Sequence, residues 1–156
     1  MKILIANAGS TSFKYKLYDN AKVIAQGRLE RIGDATSPQR YTEGQSVYET
    51  ETGLPDFTAA VRAVIHHLSK TVIDSIDDLN AVGFKTVHIR GEAGTLELTE
   101  EVLQRMTDYN DLAPAHNPPY IEAIQARNGV NTIETYDPPF PEFFKADGKR
   151  YVLYWF

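Results

Sequence analysis

The sequence contains no cysteine, which excludes disulfide bonds, thiolate catalysis and cysteine-ligated zinc. It also contains no apolar run long enough to span a membrane, and the short apolar stretch at residues 3–6 is too brief for a signal peptide. Basic residues are outnumbered, 16 against 21 acidic ones, and the net charge of −5 argues against a nucleic-acid partner. We therefore expect a cytoplasmic protein that binds neither nucleic acid nor membranes.

The amounts of apolar and charged residue are those of an ordinary globular domain. Of the 156 residues, 42% are hydrophobic and 24% are charged. A chain of this length can bury one sizeable core. We expect residues 1–156 to form a single domain.

The first part of the chain predicts an antiparallel meander. The apolar run at residues 3–6 stops at a small, polar turn, and residues 13–18 then alternate between apolar and polar side chains, as half-buried strands do. Asp19-Asn20 suits a hairpin turn, after which residues 23–25 return as a third strand. Residues 40–52, with a central Gly44, could form one more hairpin.

Helical spacing replaces the alternating pattern after Asp56. This aspartate and Thr99 are expected to cap helices, the first near residues 56–70, and a third helix is expected near residues 117–127. Strands are expected near residues 81–87 and 130–136. The resulting order, β-β-β-α-β-α-α-β, predicts an α/β domain with a mixed five-stranded sheet, its first three strands antiparallel, and helices on the faces.

The turn at residues 7–14, Asn-Ala-Gly-Ser-Thr-Ser-Phe-Lys, is a candidate anion site. Glycine and serine let backbone N–H groups approach an anion closely, and the hydroxyls and Lys14 add further donors. Asn7 offers an amide oxygen, which is a suitable ligand for Mg²⁺. The alternative is a hairpin turn that uses these residues only for their geometry.

Three later segments contain possible site residues, each with a structural alternative. Lys85 and His88 lie near the end of a predicted strand, but they could be a surface lysine and a packed histidine. His116 precedes a predicted helix N-terminus, although the surrounding prolines explain a rigid loop without function. Asp137 follows the last predicted strand, where Asp-Pro turns are also common. The adjacent His66 and His67 are expected to be surface or packing residues and not a shared metal site, because neighbours on a helix point in different directions.

Taken together, these motifs resemble the acetate kinase family in order and spacing. The resemblance is carried by residues 1–14 and by three later segments: residues 30–33 (Glu-Arg-Ile-Gly), 80–83 (Asn-Ala-Val-Gly) and 113–119 (Ala-Pro-Ala-His-Asn-Pro-Pro). It implies a ribonuclease-H-like domain of the actin, Hsp70 and sugar-kinase type. The family transfers a phosphoryl group between ATP and a short-chain carboxylate, giving an acyl phosphate and ADP.

The resemblance also implies roles for the first motif and the cofactors Mg²⁺ and ATP. Asn7 would help to hold Mg²⁺, while Ser10, Ser12 and Lys14 would form the loop that binds the nucleotide phosphates. These assignments come from the family and not from the spacing alone.

On the acyl side, the resemblance implies four more residues. Asp137 would be the catalytic carboxylate and His116 would lie near the transferred phosphoryl group. Lys85 would bind substrate and Val87 would line the acyl pocket.

This sequence departs from the family pattern at several of these positions. Lys85 replaces an arginine and so lacks the planar fork that grips an anion at two points. Phe84 stands in place of a histidine, Ile89-Arg90 interrupts a glycine pair, and Ala115 replaces a leucine. Residues 138–141 include two consecutive prolines, which remove two backbone donors beside Asp137.

The resemblance corresponds to the N-terminal domain of the family alone, without the nucleotide-binding second domain. One hypothesis is an enzyme component that acts with a separate second-domain chain on a carboxylate or acyl phosphate, and is inactive alone. The other is a non-enzymatic, truncated relative that binds a ligand or partner. The apolar residues 151–156 are expected to form an edge strand or to mediate self-association, such as a homodimer.

Overall fold

The computed structural model describes residues 1–85, 95–111, 114–115, 117–131 and 150–154. Its strands are β1 (Lys2–Ala8), β2 (Ser12–Asp19), β3 (Lys22–Glu30), β4 (Ser37–Glu43), β5 (Ser46–Thr52), β6 (Leu79–Lys85), β7 (Thr95–Glu97) and β8 (Arg150–Tyr154). Its α-helices are α1 (Phe57–Thr71), α2 (Glu100–Thr107) and α3 (Asn117–Asn131), and one turn of 3-10 helix covers Ile76–Asp78.

All eight of these strands belong to one mixed sheet, in the order β5-β4-β3-β2-β1-β6-β8-β7. Neighbours from β5 to β1 are antiparallel, β1 with β6 and β6 with β8 are parallel, and β8 with β7 is antiparallel. The predicted α/β class and the antiparallel first three strands are confirmed. The predicted count of five strands is wrong, because the β4–β5 hairpin and the short β7 extend the sheet on both sides.

Two tight hairpin turns set the register of the antiparallel strands. Asn20, between β2 and β3, has φ of 53°, and Gly44, between β4 and β5, has φ of 58°. Both lie in the left-handed region, which asparagine and glycine tolerate better than other residues. The predicted turn at Asp19-Asn20 and the hairpin around Gly44 are therefore both present.

Helix α1 covers one face of the sheet with an apolar stripe. Asp56 caps this helix, since its Oδ1 accepts the N–H of Ala59 at 2.7 Å. The buried residues of the helix recur at helical spacing and join the apolar side chains of the sheet in one core. They are Phe57, Ala60, Val61, Val64, Ile65 and Leu68.

Helix α2 and helix α3 pack together and extend the same core. Thr99 caps α2 as predicted, since its Oγ1 accepts the N–H of Val102 at 3.2 Å. Asn117 is the first residue of α3, and its buried Nδ2 donates to the carbonyl of Met106 at 3.0 Å. This bond ties the start of α3 to the end of α2. No helix among the described residues is long and apolar enough to cross a lipid bilayer.

Two predictions near the C-terminal end are corrected. Helix α3 continues to Asn131, so the strand predicted for residues 130–136 is wrong at its start, and residues 132–136 lie outside the described residues. The apolar stretch from residue 151 does not form an edge strand. Its residues 151–154 belong to β8, which lies between β6 and β7, and this position pairs the strand on both sides.

Candidate functional site

The turn between β1 and β2 is held closed by backbone hydrogen bonds. The N–H of Gly9 donates to the carbonyl of Ser12 at 2.6 Å, and the N–H of Ile32 donates to the carbonyl of Thr11 at 3.0 Å. A Cβ atom on Gly9 would lie 2.8 Å from the Oγ of Ser12, so a larger residue would push that hydroxyl away. Ser10 is exposed at the tip and Ser12 is half-buried. The turn therefore places Ser10 and Ser12 just beyond the end of β1.

Strand pairing brings three predicted site residues into one row beside this turn. Asn7 on β1 is the direct register partner of Lys14 on β2 and of Lys85 on β6. Directly paired side chains on one face of a sheet lie about 5 Å apart at Cβ. The polar groups of Asn7, Lys14 and Lys85 are thus neighbours on one face, although 78 positions separate the first and last of them.

The row continues across the next two strands with two arginines. Lys14 pairs with Arg28 on β3, and Arg28 pairs with Arg40 on β4. Arg28 contacts Glu30, two residues along the same strand, and Arg40 Nη1 lies 2.9 Å from Oε1 of Glu49, its register partner on β5. Cationic side chains therefore occupy one line from β6 to β4, with Asn7 as the one uncharged member.

An open depression of about 410 Å³ lies along this row. Six of its lining side chains come from four strands of the meander and from β6: Asn7, Lys14, Lys16, Arg28, Arg40 and Lys85. The described helices contribute to the core on the opposite face, and the lysines and arginines that line the depression on β2 to β4 are exposed. Its charge makes it suited to an anion.

The opposite face of the same strands is apolar. Phe84 is only 6% exposed. With Leu4, Val61 and Val64, it lines a small internal void. Phe84 therefore contributes to packing under the sheet and not to the polar row. Strand alternation places Lys85, the next residue, on the depression side.

A cluster around His67 links helix α1 to the β4–β5 hairpin, and the sequence interpretation missed it. The His67 ring stacks on Tyr41 with centroids 4.0 Å apart and meets Tyr48 edge-on at 5.3 Å. Its Nε2 lies 2.8 Å from Oε1 of Glu43. His66 is exposed, and His67 is a packing residue. The residue pattern of Tyr41, Glu43 and Tyr48 along the β4–β5 hairpin does not indicate a partner on a distant helix.

Burial raises the pKa values of two tyrosines, Tyr41 in this cluster and Tyr15 next to it. Burial raises the pKa of Tyr41 to about 12, and its hydroxyl donates to Oε1 of Gln39 at 2.6 Å. The pKa of Tyr15 is also raised, mainly by burial and further by the nearby Tyr41 and Glu43. Both phenols are therefore neutral at physiological pH and act in packing.

The remaining predicted site residues fall outside the described residues. These are Val87, His88, His116 and Asp137. The structure brings together Asn7, Lys14 and Lys85, and it places Ser10 and Ser12 in the adjoining turn. It also adds Arg28 and Arg40, which sequence reasoning did not select because only strand register aligns them with Lys14.

The chemistry of these side chains fits a phosphate-containing ligand with Mg²⁺. Lysine ammonium groups and serine hydroxyls are donors for phosphate oxygens. No group of three or more histidine, aspartate or glutamate residues able to hold a metal occurs in the described part of the chain. Asn7 supplies one amide oxygen. This is compatible with Mg²⁺, which keeps several waters and takes other ligands from the phosphates of a substrate.

The fold and this row define a class of protein. An antiparallel meander, parallel crossovers to β6 and β8, and helices packed on the sheet are the architecture of the actin, Hsp70 and sugar-kinase type. Among solved structures, the chain resembles the acetate kinase of Porphyromonas gingivalis with a TM-score of 0.81, 28% identity and coverage of 99% of this chain and 37% of that one. A propionate kinase from Francisella tularensis shares the fold, with a TM-score of 0.76 at 21% identity over 99% of this chain and 36% of that one.

The family follows from the sequence matches. Residues 2–142 match the model of the acetokinase family, and the chain belongs to this family. It is 41% identical to the acetate kinase of Clostridium beijerinckii over 98% of this chain and 41% of the relative. It is 37% identical to the acetate kinase of Methanosarcina acetivorans over 98% of this chain and 40% of the relative. The chain thus spans about two fifths of the length of these curated relatives.

Proposed function

We propose that this chain forms one wall of a carboxylate kinase active site, in which a phosphoryl group passes between ATP and a short-chain carboxylate. The observation that carries the proposal is the row of Asn7, Lys14 and Lys85 beside the Ser10–Ser12 turn, in a chain of the acetokinase family. Two cations and one amide in this row support binding of a phosphate chain along the end of β1. The relatives it matches are named as acetate kinases.

Each residue of the row would have a role in binding or charge neutralisation. Lys14 and the hydroxyls of Ser10 and Ser12 would hold the nucleotide phosphates, and Lys85 would neutralise the carboxylate or the transferred phosphoryl group. Asn7 would contribute one oxygen to Mg²⁺, which supplies further charge neutralisation when bound. Phosphoryl transfer depends mainly on such positioning and electrostatic stabilisation.

Three residues outside the described part complete the proposed site. We assign Asp137 as the catalytic carboxylate, His116 as a residue near the transferred phosphoryl group, and Val87 as part of the acyl pocket. These assignments rest on the family resemblance alone. The proposed setting is the cytoplasm, where ATP and short-chain acids are both available.

The isolated chain is proposed to be inactive. Asn7, Lys14 and Lys85 all lie on one face of one sheet, so they form only one wall of the site. Water therefore has access to the substrates from the side that faces away from the sheet. Losing a single preorganised donor commonly lowers a catalytic rate about a hundredfold or more. A second domain would be needed to enclose the substrates.

An activity assay tests the reaction. The purified chain should form no acetyl phosphate from acetate and MgATP, whereas mixing it with the second domain of the Clostridium beijerinckii acetate kinase should restore turnover. Asp137→Asn should abolish the restored turnover. Restored turnover that Asp137→Asn leaves unchanged would refute the assignment. If no mixture is active, a non-enzymatic binding module becomes the better description.

A binding measurement tests the site without needing activity. Phosphate added to ¹⁵N-labelled chain should shift the amide signals of residues 7–12 at millimolar concentration. Lys14→Gln should weaken this binding about threefold or more, because an exposed charge contact contributes modestly. Lys22→Gln removes the same charge at the distant start of β3 and is the matched control. Equal effects of the two variants would show that only net charge matters.

A further inference from the structure

Three cationic residues are direct register partners on adjacent strands, and this is unusual for a solvated sheet face. Lys14 on β2 pairs with Arg28 on β3, which pairs with Arg40 on β4. Like charges placed directly opposite each other destabilise a sheet. The chain as a whole carries a net charge of −5, so this positive concentration is not a general property of its surface. A bound anion would offset the repulsion.

The charges near the row are only partly compensated. Glu30 contacts Arg28, and Glu49 contacts Arg40. Within the described part of the chain, neither Lys14 nor its neighbour Lys16 forms an ion pair. Both lysines are exposed on the same face as the arginines. The positive potential along the row is therefore open to solvent, where it can attract anions.

The dimensions of the row favour an extended polyanion over a single small ion. Adjacent strands are about 4.8 Å apart, so the line from Lys14 to Arg40 spans roughly 10 Å of sheet. A single phosphate can contact only one or two of these side chains, whereas a linked chain of phosphates can contact all of them. Arginine is well suited to this task because its planar fork binds phosphate oxygens at two points.

The rest of the depression argues against a nucleic-acid strand. Single-stranded nucleic acids need exposed aromatic side chains on which bases stack. The one aromatic side chain that lines the depression is Tyr15, which is only 3% exposed. Gln26 and Thr42 lie beside the arginines and offer hydrogen bonds but no stacking surface. Phosphate chemistry without base recognition matches these residues.

We infer that Lys14, Lys16, Arg28 and Arg40 form a binding subsite for condensed phosphates, that is, for a linked di- or triphosphate chain lying across strands β2 to β4. The inference goes beyond the proposed kinase site because three of these four residues have no part in it. The ligand could be an inorganic polyphosphate or the triphosphate chain of a nucleotide. These two sources share the same contacts on the protein.

The test is a set of NMR titrations of the ¹⁵N-labelled 156-residue chain with inorganic triphosphate, ATP and orthophosphate. Triphosphate should shift the amide signals of Lys16, Arg28 and Arg40 and should bind more tightly than orthophosphate. ATP should shift the same signals with a Kd within about threefold of that for triphosphate, because the phosphates provide the contacts. Binding of ATP without binding of triphosphate would overturn the inference.

Charge-removing variants identify the residues involved. Arg28→Gln and Arg40→Gln should each weaken triphosphate binding about threefold, and the double variant about tenfold. Arg62→Gln, on the exposed side of α1, removes the same charge elsewhere and should have no such effect. If Arg62→Gln weakened triphosphate binding equally, net charge alone would explain the weakening, and the subsite would be refuted.

Two gain-of-affinity variants exclude unfolding as an explanation. Glu30→Gln frees Arg28, and Glu49→Gln frees Arg40, so each should tighten triphosphate binding about threefold. A misfolded variant would not bind more tightly. If triphosphate shifts only residues 7–12 and none of these variants changes its Kd, the subsite is refuted while the proposed kinase site is unaffected. If orthophosphate fails to shift residues 7–12, the kinase site is in doubt and the subsite is still tested by triphosphate.

Discussion

Replacing Gly27 with alanine should destabilise the domain because a buried tyrosine ring lies against this position. Gly27 on β3 pairs with Tyr15 on β2 and with Tyr41 on β4. A Cβ atom built on Gly27 would lie 2.4 Å from Cε1 of Tyr15, 3.0 Å from its Cζ and 3.1 Å from its hydroxyl. Carbon atoms in favourable contact are about 3.5–4.0 Å apart. The ring would have to move by about 1 Å or more.

The size of the effect follows from two opposing contributions. Tyr15 is 3% exposed and sits in the core, so moving its ring disturbs well-packed neighbours, at a typical cost of about 1–3 kcal/mol. Alanine also restricts the unfolded chain relative to glycine, which returns about 0.5–1 kcal/mol. The net loss in the free energy of unfolding should therefore lie between about 0 and 2.5 kcal/mol, centred on about 1 kcal/mol.

Urea denaturation followed by far-UV circular dichroism measures this loss. The midpoint should fall by about 0.5–1 M with an unchanged slope. In a Tyr15→Val background the ring is absent, so the same Gly27→Ala change should cost at most about 0.5 kcal/mol. An equal cost in both backgrounds would show that the ring contact is not the cause, and a stabilised Gly27→Ala chain would refute the packing argument outright.

Three further predictions concern the same domain. Tyr41 has its pKa raised to about 12 by burial, so its folded form stays protonated while the unfolded chain ionises near pH 10. The stability that this pKa difference provides is present below pH 10 and is lost as the pH rises toward 12. In the Tyr41→Phe variant, the urea midpoint should therefore fall less steeply with pH over this range. An unchanged dependence of the midpoint on pH would contradict this. Asp56→Ala should lower the free energy of unfolding by about 1 kcal/mol, because it removes the cap of α1. The exposed control Asp34→Ala should lower it by less than about 0.5 kcal/mol in the same urea assay. Equal losses would argue against the cap. Gly44→Ala should lower the thermal midpoint by placing a Cβ at φ of 58°, with an energetic cost of about 1 kcal/mol, and Gly44→Asn should lower it less.

Several elements were predictable from the sequence because their causes are local. The alternation at residues 13–18 and the Asp19-Asn20 turn lie within a few residues of each other. They predicted β2 and the β2–β3 hairpin correctly. Asp56 and Thr99 predicted helix starts because a cap bonds to a backbone N–H only three residues later. In each case the interacting groups are neighbours in the chain.

Other elements were mispredicted because their partners are distant. A short stretch with several β-branched residues, such as residues 130–136, can continue a helix or form a strand, and neighbouring packing decides between them. Helix α3 continues to Asn131, while the place beside β6 is taken by β8 at residues 150–154. The same pairing gives β8 a neighbour on each side, which the apolar composition of this segment did not indicate.

The candidate site shows the same division. The residue types in the β1–β2 turn, together with the family resemblance, were enough to select Ser10, Ser12 and Lys14 as phosphate-binding candidates and Asn7 as a candidate Mg²⁺ ligand. The alignment of Lys14 with Arg28 and Arg40, and of Asn7 with Lys85, depends on strand register. A hairpin turn fixes register near the turn, but the register shift between Leu17 and Tyr18 and the pairing of β1 with the distant β6 have no local sequence signal.

The sequence by itself determined the class of domain, the capped helices, the first hairpin and the chemistry available at the β1–β2 turn. Each of these depends on side-chain pattern or on contacts within a few residues. The tertiary structure decided which face of the sheet is open, how many strands it has, and which cations share a row. Those properties depend on the order of strands and on the face that the helices cover, and only the folded chain brings these distant segments together.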